Sequence, residues 1–279
     1  MDEASFIRYL SSKKSVDDRA LNRRVWDAMV SRAGSSSPRV LELGGGIGTM
    51  IERAAADGGL KPRSWTLIDE QQALIEEARR RLAGRVPFTV DLQAMDVQAF
   101  IERNADSFDL VIANAFLDLF DPQRLLPGIL KLARSGGSFL FSITFDGLTA
   151  WEPEIDPPLD RKILDLYHRT MDERLIGGEH SGDSKCGRHL LTLLPRCGYR
   201  ILEAGSSDWL VLPRDGGYPA DERFFLECIL GFFEESLAGH PGLDRREFSG
   251  WLEARRAQLS AGELVFMAHQ LDVLAAPAP

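Results

Sequence analysis

The sequence is poor in the features that would staple it, anchor it or carry it to a polyanion. Cysteine occurs only at Cys186, Cys197 and Cys228, widely spaced and without a C-x-x-C pair, which argues against a disulfide framework and a cysteine-rich zinc site. No apolar run reaches the roughly 18 residues that a membrane span requires. The first residues, Met-Asp-Glu-Ala-Ser, lack the basic start and apolar centre of a secretory signal, so a cytoplasmic location is expected. Lys and Arg number 33 against 42 acids, a formal net charge of -9, so neither nucleic acid nor a membrane is expected as partner. What remains is a chain of 279 residues, 44% hydrophobic, enough for one sizeable core with an appended lid.

The most informative stretch is Arg39-Val-Leu-Glu-Leu-Gly-Gly-Gly-Ile-Gly-Thr-Met50, a short apolar strand, a glycine turn and the start of a helix. Glycines at alternate positions, Gly44, Gly46 and Gly48, imply positive φ or a ligand lying on bare backbone. The helix start behind them offers free N–H groups to an anion. The dinucleotide fingerprint G-x-G-x-x-G would put Thr49 at its third glycine, and Glu42 would repel a pyrophosphate while suiting an ammonium or sulfonium.

This E-x-G-x-G-x-G pattern resembles motif I of the class I methyltransferases, which bind S-adenosylmethionine. The pattern downstream alternates strand and helix, as a parallel sheet covered on both faces requires. Strands are expected at Arg39–Leu43, Ser64–Asp69, Val86–Val90, Phe108–Asn114 and Ser138–Thr144, with helices between them. Asp69, 27 residues beyond Glu42 and followed by Glu70, ends the second strand where the family's ribose-binding acid stands. Asp96 with Val97 resembles the segment that meets the adenine, and Phe108-Asp-Leu-Val-Ile-Ala-Asn114 resembles motif IV. The Asn-Pro-Pro-Tyr motif of DNA amino methyltransferases is absent. The resemblance is specific over residues 39–146 and loose elsewhere.

The family implies an α/β fold, a Rossmann-like seven-stranded, mostly parallel sheet with helices on both faces. To it the sequence adds an N-terminal helical cap (1–38) and a domain (39–279) with a lid insertion at 147–188 and a helical insertion at 214–260. The cap is expected as two helices joined near Ser11 and Ser12, the second begun by Ser15, then a flexible entry at Gly34–Pro38. A polar, Pro-rich loop is expected from Phe145 to Pro158, a closing seventh strand over Glu263–Leu274, and a frayed tail after it. The family's cap covers the cofactor, so Arg19, or else Lys13 or Lys14, is expected to meet its carboxylate. The expected cofactor site is therefore Arg19, Glu42, Gly44, Gly46, Gly48, Asp69, Glu70, Asp96, Val97 and Asn114.

Methyl transfer from a sulfonium needs mainly positioning, plus a base where the acceptor must lose a proton. His168 and Asp118 are the expected catalytic groups, and Phe116, Trp151, Glu154, Asp172, Asp183 and Trp209 the expected acceptor contacts. The acids Asp118, Asp146 and Asp172 have no spacing that makes them a metal site, and no metal is expected. The expected activity is S-adenosylmethionine-dependent O- or N-methylation of a small-molecule acceptor. A non-methylating transferase or cyclase on the same fold, a dehydrogenase disfavoured by Glu42 and Thr49, and a silent binding module are the alternatives. The apolar stripe over residues 221–238 must be buried against something: the chain's own sheet, a homodimer partner, or a substrate for which it is an apolar wall.

Overall fold

The structure is a computed structural model that describes residues 1–33 and 37–278. In chain order its elements are α1 Glu3–Ala20, α2 Arg23–Ala33, β1 Arg39–Leu43, α3 Thr49–Asp57, β2 Ser64–Asp69, α4 Gln72–Leu82, β3 Thr89–Ala94, α5 Val97–Ile101 and β4 Phe108–Asn114. A 3-10 turn at Leu117–Leu119 leads to α6 Pro122–Ile129, β5 Ala133–Glu152, α7 Pro157–Asp172, β6 Leu175–Ile176, β7 Glu179–His180 and α8 Cys186–Arg196. β8 Tyr199–Ser206, β9 Trp209–Val211, α9 Glu222–Leu237, α10 Arg245–Ala261 and β10 Val265–Pro277 complete the described chain.

The main sheet runs β3-β2-β1-β4-β5-β10-β8, with β9 alongside β10. The first five strands are parallel, and β10 is antiparallel to β5, β8 and β9. The sheet thus has eight strands, because β9 joins the seven expected. Alternate residues of each strand face opposite ways, so two cores form. Val40, Leu67, Leu110 and Ile112 pack under α2, α3 and α4, while Leu41, Leu43, Val111 and Phe141 pack under α6 and α8.

A third core has no counterpart in the parallel half. Both β5 and β10 run on past the sheet as an antiparallel ribbon, and α1, α7, α9 and α10 roof it around Trp151, Phe233, Trp251 and Phe266. The expected loop from Phe145 is therefore strand as far as Glu152, interrupted where Asp146 and Gly147 bulge out of the pairing with His269 and Gln270. Gly147 takes φ +73°, and Asp146 is held by the Arg188 backbone N–H and guanidinium. The frayed tail is likewise corrected: pairing with β8 continues to Pro277.

α1 is one helix and not two. Ser12 folds its hydroxyl back onto the Tyr9 carbonyl at 2.8 Å, and Ser15 lies mid-helix with its hydroxyl on Glu222, so neither breaks nor begins a helix. The break falls at Asn22, whose side chain accepts from the Val25 N–H and donates to the Ser206 carbonyl. The expected flexible entry falls largely on residues 34–36, outside the described residues. In α9 the apolar stripe of Phe225, Leu226, Ile229, Leu230 and Phe233 is buried within the chain's own roof. Each such side chain contributes about 1.5–3 kcal/mol on burial, so the stripe no longer calls for a second copy. No helix among the described residues is long and apolar enough to cross a membrane.

Candidate active site

The glycine turn after β1 leaves its backbone bare. Gly44 and Gly46 have φ of +60° and +53°, and a Cβ on Gly44 would stand 2.2 Å from a Phe116 ring carbon. Gly45 needs its bare Cα for another reason: a Cβ there would meet Leu67 at 2.4 Å and the Glu42 carboxyl carbon at 2.9 Å. Gly48, at φ +80°, caps α3 but packs against Leu82. It shapes the turn without touching the cleft.

Two joined hollows lie on either side of Gly44 and Gly46, beneath Phe6 and Leu10 of α1 and beside Ala115 and Leu119. The outer hollow, about 190 Å³, is lined by Asp69, Glu70, Asp96, Val97, Met95 and Phe116. The inner, about 300 Å³, is lined by Lys13, Asp17, Glu42, Asn114, Asp118 and Trp209. Their combined size suits one small ligand with room for a second group.

The outer hollow is prepared by the tips of β2 and β3. One Asp69 carboxylate oxygen accepts from the Gly46 N–H and the other from the Gln71 N–H, each at 3.0 Å. Burial nevertheless raises its pKa, so ionised Asp69 gains from further donors. Asp96 caps α5 by accepting from the Gln98 and Ala99 N–H groups, which fixes it beside buried Val97.

The inner hollow is crowded with carboxyl groups. Glu42 is 2% exposed and accepts from the Trp65 indole at 3.0 Å, yet burial pushes its pKa up to about 8. Lys13, 8% exposed, reaches Asp17 at 2.5 Å and stands 5.1 Å from the Trp209 ring centre. Trp209 donates its indole N–H to Asp17 at 2.9 Å. The Asp118 Oδ1 is shielded from solvent with no hydrogen-bond partner among the other described residues, and burial lifts its carboxyl to about 6 against the pull of its own backbone N–H, Lys13 and Arg174. Asn114 is steadied by the Ser142 hydroxyl at 2.8 Å.

Of the residues expected from sequence, Glu42, Gly44, Gly46, Asp69, Glu70, Asp96, Val97, Asn114, Phe116, Asp118 and Trp209 line this cleft. Seven do not. Arg19 is bound in a two-pronged ion pair with Glu222, at 2.5 and 2.9 Å, which leaves Lys13 as the α1 cation in the cleft. Trp151 is sealed into the roof core, and Glu154 is exposed on the surface beyond β5. Asp172 holds the Ser184 N–H and hydroxyl, and Asp183 pairs with His189 while its own N–H supports the Asp118 carbonyl. His168 shares a hydrogen bond with Thr149 at 3.0 Å and leans on Phe145, and burial lowers its pKa. Gly48, as noted, is architectural.

Sequence reasoning overlooked Phe6, Tyr9, Leu10 and Asp17, whereas Phe232 belongs to the apolar stripe for which a substrate wall is one expectation. The Lys13/Asp17 spacing of four on one helix was a usable signal. The aromatic contacts had none, since α1 and α9 meet only through the tertiary fold.

Similarity to known proteins agrees with this geometry. Residues 40–137 match the family model described as a methyltransferase domain. Among curated proteins, the malonyl-[acyl-carrier protein] O-methyltransferase of Paenibacillus sp. (strain JDR-2) is 28% identical over 145 residues, 50% of this chain and 48% of that protein. The chain thus matches about half the length of that relative. The structure of an S-adenosylmethionine-dependent methyltransferase from Thiobacillus denitrificans, in complex with S-adenosyl-L-homocysteine, superposes with TM-score 0.51 at 13% identity, covering 99% of each chain. One from Geobacter sulfurreducens, in the same kind of complex, gives 0.50 at 16% identity over 97% of this chain and 98% of the other. At these identities the likeness speaks for the fold.

Proposed function

We propose, from the premise that residues 40–137 form a methyltransferase domain of the class I, Rossmann-like kind, that this protein transfers a methyl group from S-adenosylmethionine to the oxygen or nitrogen of a small-molecule acceptor. The observation that carries the reading is a single cleft in which bare Gly44 and Gly46 backbone separates a hollow with Asp69 and Asp96 from one with Lys13, Glu42 and Asp118.

The residues present fit the cofactor. Asp69 would hold the ribose hydroxyls, Asp96 and Val97 the adenine edge, and the bare glycines leave room for the chain that joins nucleoside to amino acid. Lys13 would hold the carboxylate and Glu42 the ammonium. When bound, the cofactor supplies an electrophilic methyl group on a sulfonium. The protein's part is to orient the acceptor, exclude water beneath Phe6 and Leu10, and take up a proton. Of the two expected groups, Asp118 lines the cleft and His168 does not, so Asp118 would take that proton.

Calorimetric titration of the folded protein with S-adenosylmethionine and S-adenosylhomocysteine tests the reading. Saturable one-to-one binding that Asp69→Ala weakens is expected. Absence of binding to folded protein refutes it.

A further inference from the structure

We infer that the acceptor presents an amine, held by Asp118 against an aromatic wall in the inner hollow, and not a carboxylate of the malonyl kind; the inference rests on the reading of the cleft as a methyl-transfer site. The first observation is the balance of charge. Among the described residues lining the inner hollow, Asp17, Glu42 and Asp118 carry carboxyl groups and Lys13 is the sole cation. Lys13 is already bound to Asp17 at 2.5 Å, and it is also the group available to the cofactor's carboxylate. Arg174, the other cation acting on Asp118, gives its guanidinium to the carbonyls of Ser181 and Leu119. With Asp17 tied to Lys13 and Glu42 given to the cofactor ammonium, a carboxylate acceptor would enter beside Asp118 with no cation left to receive it, at the cost of desolvation without repayment.

The second observation is independent of the first. Asp118 Oδ1 is buried and has no hydrogen-bond partner from any other described residue, whereas such atoms are ordinarily satisfied. It needs a donor, which an ammonium or amine supplies and a carboxylate does not. The same hollow is lined by Phe6, Tyr9, Trp209 and Phe232, with Tyr9 edge-on to Phe232 at 5.2 Å. Aromatic faces beside a carboxylate favour a cationic head on an apolar body.

The transfer balances with these groups alone. Asp118 takes one proton from the ammonium. The freed nitrogen lone pair then bonds the methyl carbon while the carbon–sulfur pair returns to sulfur, and the product leaves as a methylated ammonium.

The test uses protein saturated with S-adenosylhomocysteine, titrated calorimetrically with phenethylamine and with 3-phenylpropionate, a matched pair differing in the charged head. The amine should bind at least about tenfold more tightly, the scale of one charge-assisted hydrogen bond. Asp118→Asn should erase the preference, with measurable S-adenosylhomocysteine binding by the same variant showing that the cleft is still formed. Should Asp118→Asn fold poorly, Asp118→Ser serves, and the wild-type comparison of the two probes needs no variant. Equal binding of the probes, tighter binding of the carboxylate, or a preference that survives in the variants overturns the inference while cofactor binding stands. Failure of folded protein to bind S-adenosylhomocysteine overturns the proposed function, and this inference with it.

Discussion

The parallel half of the sheet and the antiparallel ribbon that prolongs it are built by different means. In the parallel half each element is announced locally: a glycine turn, an acid at a strand tip, Asp96 capping α5 and Asp121 capping α6. In the roof, order comes from partners far apart in sequence, such as Arg19 with Glu222 and Arg255 with Asp160. The cleft lies where the two meet, since α1 belongs to the roof core yet hangs Leu10 and Lys13 over the glycine turn. Both regions thus supply side chains to one cleft, and their independence can be tested by damaging one region and reading the other.

The largest effect is expected in the roof. Arg255 is fully buried, and with Trp251 it donates to the same Asp160 oxygen, at 2.5 and 2.6 Å. Arg255→Met leaves that carboxylate short of its charge partner and should cost about 3–5 kcal/mol of unfolding free energy. Denaturant unfolding measures the loss. Calorimetry on the same variant should find S-adenosylhomocysteine affinity changed by less than about twofold, because distant sites act independently. A parallel loss of affinity would mean the two regions are one cooperative device.

Next comes the reverse experiment. Gly44→Val forces a β-branched residue into φ +60° and against the Phe116 ring. Affinity for S-adenosylhomocysteine should fall at least about 100-fold, the equivalent of strain near 3 kcal/mol. Circular dichroism should show the roof helices retained. Unfolding of the roof by this substitution would break the contrast from the other side.

These two variants also mark what was legible in the sequence. The glycine turn, Asp69, Asp96 and Asn114 were readable because short-range chemistry fixes them: φ at glycine, caps at helix starts, strand tips at regular intervals. Trp151 and His168 misled for the opposite reason. Their types suit a binding site, but whether they face a cleft or a core depends on how far β5 runs, and the bulge at Asp146 that lets it continue needs Arg188 from 42 positions away. Arg19 misled because its partner Glu222 lies 203 positions downstream. Lys13 carried the better clue, a carboxylate one turn on along the same helix face.

A smaller effect is expected from pH. Burial holds the Glu42 carboxyl at about 8, above its ordinary 4.5. Between those values the folded, ligand-free protein keeps a proton that the unfolded chain has lost, so this group's contribution to stability declines as pH rises through that window. A bound ammonium favours the ionised form, so binding releases the proton, and affinity for S-adenosylmethionine should climb with pH and level off above about 8. The slope is at most about tenfold per pH unit. Glu42→Gln should flatten it while keeping the Trp65 hydrogen bond. An unchanged slope would put the ammonium elsewhere in the cleft.

The finest test sets two cations of α1 against each other. Lys13 faces the inner hollow and Arg19 faces Glu222, although they lie six residues apart on the same helix. Lys13→Met keeps much of the apolar stem and removes the charge, so S-adenosylhomocysteine affinity should fall about tenfold, as expected for one charge-assisted contact to a carboxylate. Arg19→Met removes a charge of the same sign from the same helix, so any general field effect on the cofactor is matched between the two. Yet its affinity should change by less than about twofold, and its cost should appear in unfolding, because buried Glu222 is left with the Ser15 hydroxyl alone. If the two variants weaken binding equally, α1 acts on the cofactor through its net charge or its position, and the assignment of Lys13 to the carboxylate fails. If only Lys13→Met does, the boundary between roof and cradle runs along a single helix, one face serving each.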